Sequence, residues 1–109
     1  MKKEKNRRVD LKSALIGQFV IVRTFSAGVH AGILAAKKGK EVRLFESFRI
    51  WSWTQPETNT GSLSAVSQYG VGPNSKIGNM VPVVELTEAI EVLSCSQRAV
   101  ASIRSGKWS

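Results

Sequence analysis

Cysteine and histidine are almost missing from this sequence, which has one of each among its 109 residues, Cys95 and His30. A single cysteine excludes an internal disulfide, and one cysteine with one histidine leaves too few soft ligands for a structural zinc site. We therefore expect neither a metal nor a cofactor. The cysteine content favours a reducing cytoplasm.

Long hydrophobic runs are missing as well. The only early apolar run, "ALIGQFVIV", is interrupted by Gln18 and has no small-residue cleavage site after it. A helix that crosses a bilayer needs about 20 apolar residues. The sequence therefore predicts no export signal, no transmembrane helix and no membrane partner.

Acidic residues are scarce, because 8 Asp and Glu stand against 16 Lys and Arg, for a formal net charge of +8. Such an excess attracts anions, above all nucleic acid. Part of it is concentrated at the start of the chain. We expect residues 1–16 to form a basic N-terminal arm, partly disordered or with one helical turn capped by Asp10, and residues 17–109 to form a single globular β-rich domain.

The domain is rich in short runs of β-branched and aromatic residues, which are typical of strands. "FVIVRTF", "VHAGILAA", "EVRLF" and "FRIWSW" predict a four-stranded meander whose last two strands join across a tight "ES". "MVPVVEL" and "AIEVLSC" predict two more strands, and Pro82 places the first of them on an edge or at a strand start.

Two helices are predicted from capping residues. Ser62 and Gly70 bound a short helix over "SLSAVSQYG", and Ser94 with Gln97 matches a capping box for a C-terminal helix that ends before Gly106. The fold class is therefore α+β, mainly β. We expect a small, strongly bent antiparallel sheet or a partly closed SH3-like or OB-like barrel, with one short inserted helix and a C-terminal helix.

Four segments carry a resemblance to a known family: "FVIVRTFSAGVHAGIL", "KEVRLFESFRIWSW", "SLSAVS" and "LTEAIEVLSCS". Together they resemble a family of small, single-domain proteins of tailed phages and prophages whose function is unknown, over roughly residues 17–108. The resemblance implies a phage accessory protein in the bacterial host cytoplasm. It implies no catalytic residues.

"FRIWSW" is the strongest candidate for a site. On a strand, Arg49, Trp51 and Trp53 share one face. In proteins that bind single strands, aromatic side chains stack on bases while nearby cations hold phosphates. The alternative is that the tryptophans fill the core, which is favoured for Trp51 and about equally balanced for Trp53.

Other residues extend this candidate surface, with Arg23 and Arg43 placed to share it with Arg49. The predicted ligand and phosphate-binding residues are Arg23, His30, Lys37, Lys38, Lys40, Arg43 and Arg49, and the predicted stacking residues are Trp51, Trp53 and Tyr69. Each has a structural alternative: the lysines are typical of a solvated loop tip, and a lone histidine between Gly28 and Gly32 is typical of a hairpin that needs small residues.

No set of catalytic residues is visible. Glu85, Glu88 and Glu91 span a predicted strand, turn and strand, where we expect surface charges and not a catalytic pair. Cys95 lies near the start of the last helix, where a thiol pKa can fall, but no partner base is evident and we expect a buried, inert thiol. The sequence therefore predicts no enzyme.

The function predicted from these patterns is binding of a phosphate-bearing ligand, nucleic acid in preference to a phosphorylated nucleotide. One alternative is an anti-defence protein that sequesters a cyclic or modified nucleotide signal, or inhibits a host immune complex by contact with a host defence protein. Another is a minor structural protein of the virion. Aromatic residues and a strand edge also favour a homo-oligomer.

Overall fold

The computed structural model of the protein describes residues 13–54 and 62–106. In chain order the elements are β1 (Phe19–Thr24), β2 (Val29–Lys38), β3 (Glu41–Ser52), α1 (Leu63–Tyr69), β4 (Lys76–Ile77), β5 (Val81–Leu86), β6 (Ala89–Ser94) and α2 (Gln97–Arg104). The predicted basic arm falls almost entirely outside the described residues, and so does Asp10. In the described part of the chain no helix is long and apolar enough to cross a bilayer.

The six strands form one antiparallel sheet. β3 pairs with β2, β2 with β1 and β1 with β6, while β4 and β5 pair with different halves of the outer side of β3. β5 and β6 therefore belong to opposite edges of the sheet, although only residues 87 and 88 separate them. So short a link requires a strong bend, and the Ala89 N–H donates to the Lys40 carbonyl at this corner (3.0 Å).

This architecture confirms the predicted fold class: mainly β, with a strongly bent antiparallel sheet, a short inserted helix and a C-terminal helix. Among the described residues, the sheet is not closed into a barrel. The predicted strands "MVPVVEL" and "AIEVLSC" correspond to β5 and β6, and Pro82 lies in a strand that pairs on one side with β3. β4 was not predicted from the sequence.

The predicted four-stranded meander is wrong, because "EVRLF" and "FRIWSW" are one strand of 12 residues. The "ES" between them is a bulge: Glu46 has φ 50, and the register between β2 and β3 shifts by one residue between Ala31 and Ile33. A bulge keeps the ladder going where a turn would reverse it. It also exchanges the two faces of β3, so that Leu44 and Ile50 pack in different clusters.

The core consists of two clusters on opposite faces of the sheet. The first contains Phe19, Ile21, Ala31, Ile50, Val66, Ile77 and Ile103, and the second contains Val20, Val22, Leu34, Val42, Leu44, Leu86 and Ala89. β1 contributes alternate residues to both, as successive side chains of a strand must. Since Val66 belongs to α1 and Ile103 to α2, the helices cover the first face, while the second cluster fills the bend.

Both helices begin at serine caps. The Ser62 hydroxyl accepts from the Ala65 N–H (3.1 Å), as predicted, and the helix ends at Gly70. α2 begins after Ser96, whose hydroxyl accepts from the Ala99 N–H (3.1 Å). The predicted cap, Ser94, is instead the last residue of β6, where it pairs with Val20 and is held in extended conformation.

Candidate nucleic-acid interface

The Arg49 guanidinium lies against an indole ring and a glycine. Its Cζ is 3.8 Å from the centre of the Trp51 ring. A Cβ added at Gly28 would lie 2.8 Å from Arg49 Nη2, so only glycine allows the guanidinium to take this position. Gly28 also has φ +84, a conformation that glycine adopts without steric cost. We refer to Gly28, His30, Arg49 and Trp51 as the Arg49–Trp51 site.

Strand register brings His30 into this site. His30 and Arg49 are Cα partners on β2 and β3, so their side chains share one face of the sheet. His30 is buried, and its Nε2–H donates to the Ala27 carbonyl (2.9 Å). Burial lowers the pKa of His30, the bond to Ala27 opposes this shift, and the nearby Arg49 charge adds to it. The ring is therefore neutral near pH 7, which favours a structural role over phosphate binding.

The loop that carries Gly28 is pinned by its neighbours. The Thr24 hydroxyl donates to the Gly28 carbonyl (2.7 Å) and accepts from the Ala27 N–H (2.8 Å). Together with the bond from His30 to Ala27, these contacts hold residues 25–28 in one arrangement. The Arg49 guanidinium thus packs against a stretch of backbone that these hydrogen bonds hold in place.

Trp51 is 51% exposed, so the favoured expectation that it fills the core is wrong. Trp53 packs against the first core cluster instead. The two tryptophans do not share a face, because the register between β3 and β4 shifts between Ile50 and Ser52. Gly78 supports the arrangement: its N–H donates to the Arg49 carbonyl (2.8 Å), and a Cβ there would lie 3.3 Å from Trp51 Nε1.

Arg49 differs from other arginines of the sheet and helices in its electrostatic surroundings. Ion pairs join Arg23 to Glu91 (2.9 Å), Arg43 to Glu85 (2.6 Å) and Arg104 to Glu46 (3.1 Å). Within residues 13–54 and 62–106, no carboxylate lies within 4.0 Å of the Arg49 guanidinium. Its charge is therefore available to an anion, whereas those of Arg23 and Arg43 are compensated.

The single surface predicted from the sequence does not form. The turn between β2 and β3 carries Lys37, Lys38 and Lys40, and Lys38 lies eight residues from His30 along β2, a separation of about 26 Å. Arg43 lies near that turn and lines a groove of about 320 Å³ with Lys37 and Lys38. The three lysines thus form a second positive region at the opposite end of β2, to which Arg43 adds little because Glu85 compensates its charge.

Two more predicted residues lie away from the site. Arg23 pairs with Val29, which packs against the helix-covered cluster, so Arg23 and Arg49 lie on opposite faces. Tyr69 ends α1, with the Arg98 guanidinium 5.7 Å from its ring centre. Of the predicted residues, the structure brings together His30, Arg49 and Trp51.

The sequence missed the function of the glycines in this arrangement. Gly28 was expected to serve a hairpin that needs small residues, yet it also allows the Arg49 guanidinium to approach the backbone. The signal was the pairing of "SAGVH" with "FRIW", which becomes visible only once the register of β2 and β3 is known.

Cys95 is partly buried and packs against the first core cluster. Burial raises the pKa of the Cys95 thiol to about 12. The position near the helix start does not lower this pKa, and the thiol is protonated near pH 7. An unreactive thiol agrees with the expectation of an inert residue.

Comparison with known protein families gives a match over most of the chain. A family described as a domain of unknown function (DUF6948) matches residues 17–103. The matched region contains all six strands, α1 and all of α2 except Arg104. No curated protein and no solved structure matches the chain significantly.

Proposed function

We propose that this chain, which belongs to the family of the domain of unknown function (DUF6948), is a non-enzymatic protein that binds nucleic acid at the Arg49–Trp51 site. The observation that carries the proposal is the contact between an uncompensated guanidinium and a half-exposed indole, 3.8 Å apart. These two groups recognise the two parts of a nucleotide, the phosphate and the base.

The chemistry of each part follows from its geometry. A guanidinium donates two parallel N–H bonds to a phosphate in its own plane, and its contact with Gly28 and Trp51 restricts that plane. An exposed indole offers a flat surface on which a base stacks, a contact worth about 1–3 kcal/mol. Stacking accepts every base, so we expect weak sequence preference.

A polymer suits the charge distribution better than a single nucleotide. The lysines of the β2–β3 turn lie about 26 Å from His30 along β2, a distance equal to roughly eight nucleotide steps of 3.4 Å. One strand of nucleic acid is long enough to contact both positive regions, whereas a nucleotide reaches one. The net charge of +8 adds long-range attraction.

The resemblance to proteins of tailed phages and prophages supports a cellular setting for this activity. We propose that the protein acts as a phage accessory factor in the cytoplasm of the bacterial host. Nucleic acid is abundant in that cytoplasm. The occupancy of the Arg49–Trp51 site would therefore be set by its affinity for nucleic acid at the salt concentration of the cell.

The test is fluorescence polarisation with a fluorescein-labelled single-stranded DNA of about 12 nucleotides, at about 50 mM salt. We expect Trp51→Ala and Arg49→Gln each to weaken binding by about 5–150-fold, the equivalent of about 1–3 kcal/mol. Arg43→Gln is the matched control, since that arginine lies on the same strand but pairs with Glu85. It should change the affinity by less than about threefold.

Three outcomes would contradict the proposal. If Trp51→Ala bound the DNA as tightly as the unchanged protein, the Arg49–Trp51 site would not be the interface. Tighter binding of a cyclic or modified nucleotide than of the oligonucleotide would favour sequestration of a nucleotide signal. If neither bound, contact with a host defence protein or a place in the virion would become the better explanation.

A further inference from the structure

Three large apolar side chains are exposed together on β3 and β5. Phe45, Val81 and Val83 are each between 44% and 50% exposed. Phe45 and Val83 are Cα partners, and Val81 lies two residues from Val83 on the same face of β5. We refer to these three residues as the β5 face. They present apolar surface on the order of 200 Å².

The β5 face continues the core to the surface. Phe45 pairs with Ile33 of β2, and Ile33 pairs with Phe19 of β1. Phe19 is buried in the first cluster, which contains residues of both helices, and Ile33 packs against that cluster. Exposure therefore increases along this row from β1 towards β5. The helices cover this apolar face of the sheet at β1, whereas at β5 the same face is exposed to solvent and can contact a partner.

The charges around the β5 face limit what that partner is. Arg43 pairs with Glu85 at the next position of the β3–β5 ladder, and Glu46, beside Phe45, pairs with Arg104. Each pair is neutral, although the chain carries +8. A polyanion such as nucleic acid therefore gains little electrostatic attraction at the β5 face. A partner with an apolar centre and a rim of both signs is complementary, and a second copy of this chain has that surface.

We propose that two copies of the chain associate through their β5 faces. In a two-fold dimer the same patch is used twice, so that the Arg43–Glu85 pairs of the two copies face complementary charges across the interface. The contact is face to face, because Pro82 removes a backbone donor from β5 and so disfavours pairing along its edge. Packed sheets lie about 10 Å apart, which allows Phe45 and Val83 to interdigitate with their copies.

The test is sedimentation equilibrium of the full chain between about 5 and 500 µM, in low and high salt. We expect a dimer that becomes stronger with added salt, because two copies of charge +8 repel each other and salt screens this repulsion. Nucleic-acid binding depends on salt in the opposite direction.

Val83→Lys is the variant that tests the face, since it places a charge at the centre of the interface. We expect its dimer dissociation constant to rise at least tenfold. Ile90→Lys is the matched control: Ile90 is similarly exposed on a strand, but on β6 and outside the β5 face. It should still dimerise, and circular dichroism should show both variants folded.

Either of two results would overturn the proposal. One is a monomer throughout this range in both salt conditions, which would leave the β5 face to a different protein. The other is equal weakening by Val83→Lys and Ile90→Lys, which would show that association depends on charge and not on this face.

Discussion

At the scale of single residues, the geometry of the Arg49–Trp51 site depends on a glycine, Gly28, against which the Arg49 guanidinium packs. Gly28→Ala introduces a Cβ 2.8 Å from Arg49 Nη2 and forces alanine to φ +84. We expect the free energy of unfolding to fall by about 1 kcal/mol from backbone strain. We also expect oligonucleotide binding to weaken about tenfold, because Arg49 must leave its position on Trp51.

Gly17→Ala separates these two effects. Gly17 has φ +88, but a Cβ there would meet nothing within 4 Å. Urea unfolding should therefore show a similar loss of stability in both alanine variants, while fluorescence polarisation should show weaker binding for Gly28→Ala alone. Equal affinities for the two variants would mean that the position of Arg49 does not determine binding.

At the scale of secondary structure, the bulge in β3 determines which residues share a face. Glu46 has φ 50, which a β-branched residue tolerates poorly. We expect Glu46→Val to lower the free energy of unfolding by about 1–2 kcal/mol. Glu46→Gly relieves strain but removes an exposed ion pair with Arg104, worth about 0.2–1 kcal/mol, so its stability should stay close to that of the unchanged protein.

Urea unfolding of both variants checks this prediction, with Glu41→Val as the control. Glu41 is an exposed residue of the same strand without positive φ, so valine there should change stability by less than about 0.5 kcal/mol. If Glu46→Val lowered the free energy of unfolding no more than Glu41→Val, the bulge would not need a residue in the left-handed conformation.

The same bulge explains why the sequence predicted the strands better than the faces. Alternation and β-branched residues located β1, β2, β5 and β6 well, and Ser62 with Gly70 located α1. A polar pair such as "ES" is equally typical of a tight turn and of a bulge, because both place a residue outside the extended region. A shift of one residue reverses every later side chain, and it is the second shift on β3, between Ile50 and Ser52 in its pairing with β4, that put Trp53 on the other face from Trp51.

The ion pairs could not be predicted from the sequence, because their partners are far apart along the chain. Arg23 and Glu91 are 68 residues apart, and Arg43 and Glu85 are 42 residues apart. Each pair meets through strand register alone. The composition correctly indicated an excess of positive charge, but it gave no means of distinguishing the compensated arginines from Arg49. The Arg49–Trp51 contact itself followed from the alternation of one strand, and this part of the site was predictable.

At the scale of the whole molecule, we expect the charge of residues 2–12 to strengthen the proposed binding of nucleic acid together with the Arg49–Trp51 site. Residues 2–12 contain six Lys and Arg and two Asp and Glu, so removing them halves the net charge of +8. We expect the shortened protein to bind the oligonucleotide more weakly at low salt. The slope of log K against log salt should become less negative by about 0.7 for each phosphate that the shortened protein no longer neutralises.

The effect of Trp51→Ala should be the same in the full and the shortened chain, because stacking is a short-range contact that salt screens little. Polarisation titrations of the four proteins at several salt concentrations measure this as a double-mutant cycle. Independent effects would separate a long-range electrostatic attraction from a local recognition site. If the Trp51→Ala effect disappeared in the shortened chain, residues 2–12 would instead be needed to hold the nucleic acid on the indole, and the two regions would form one interface.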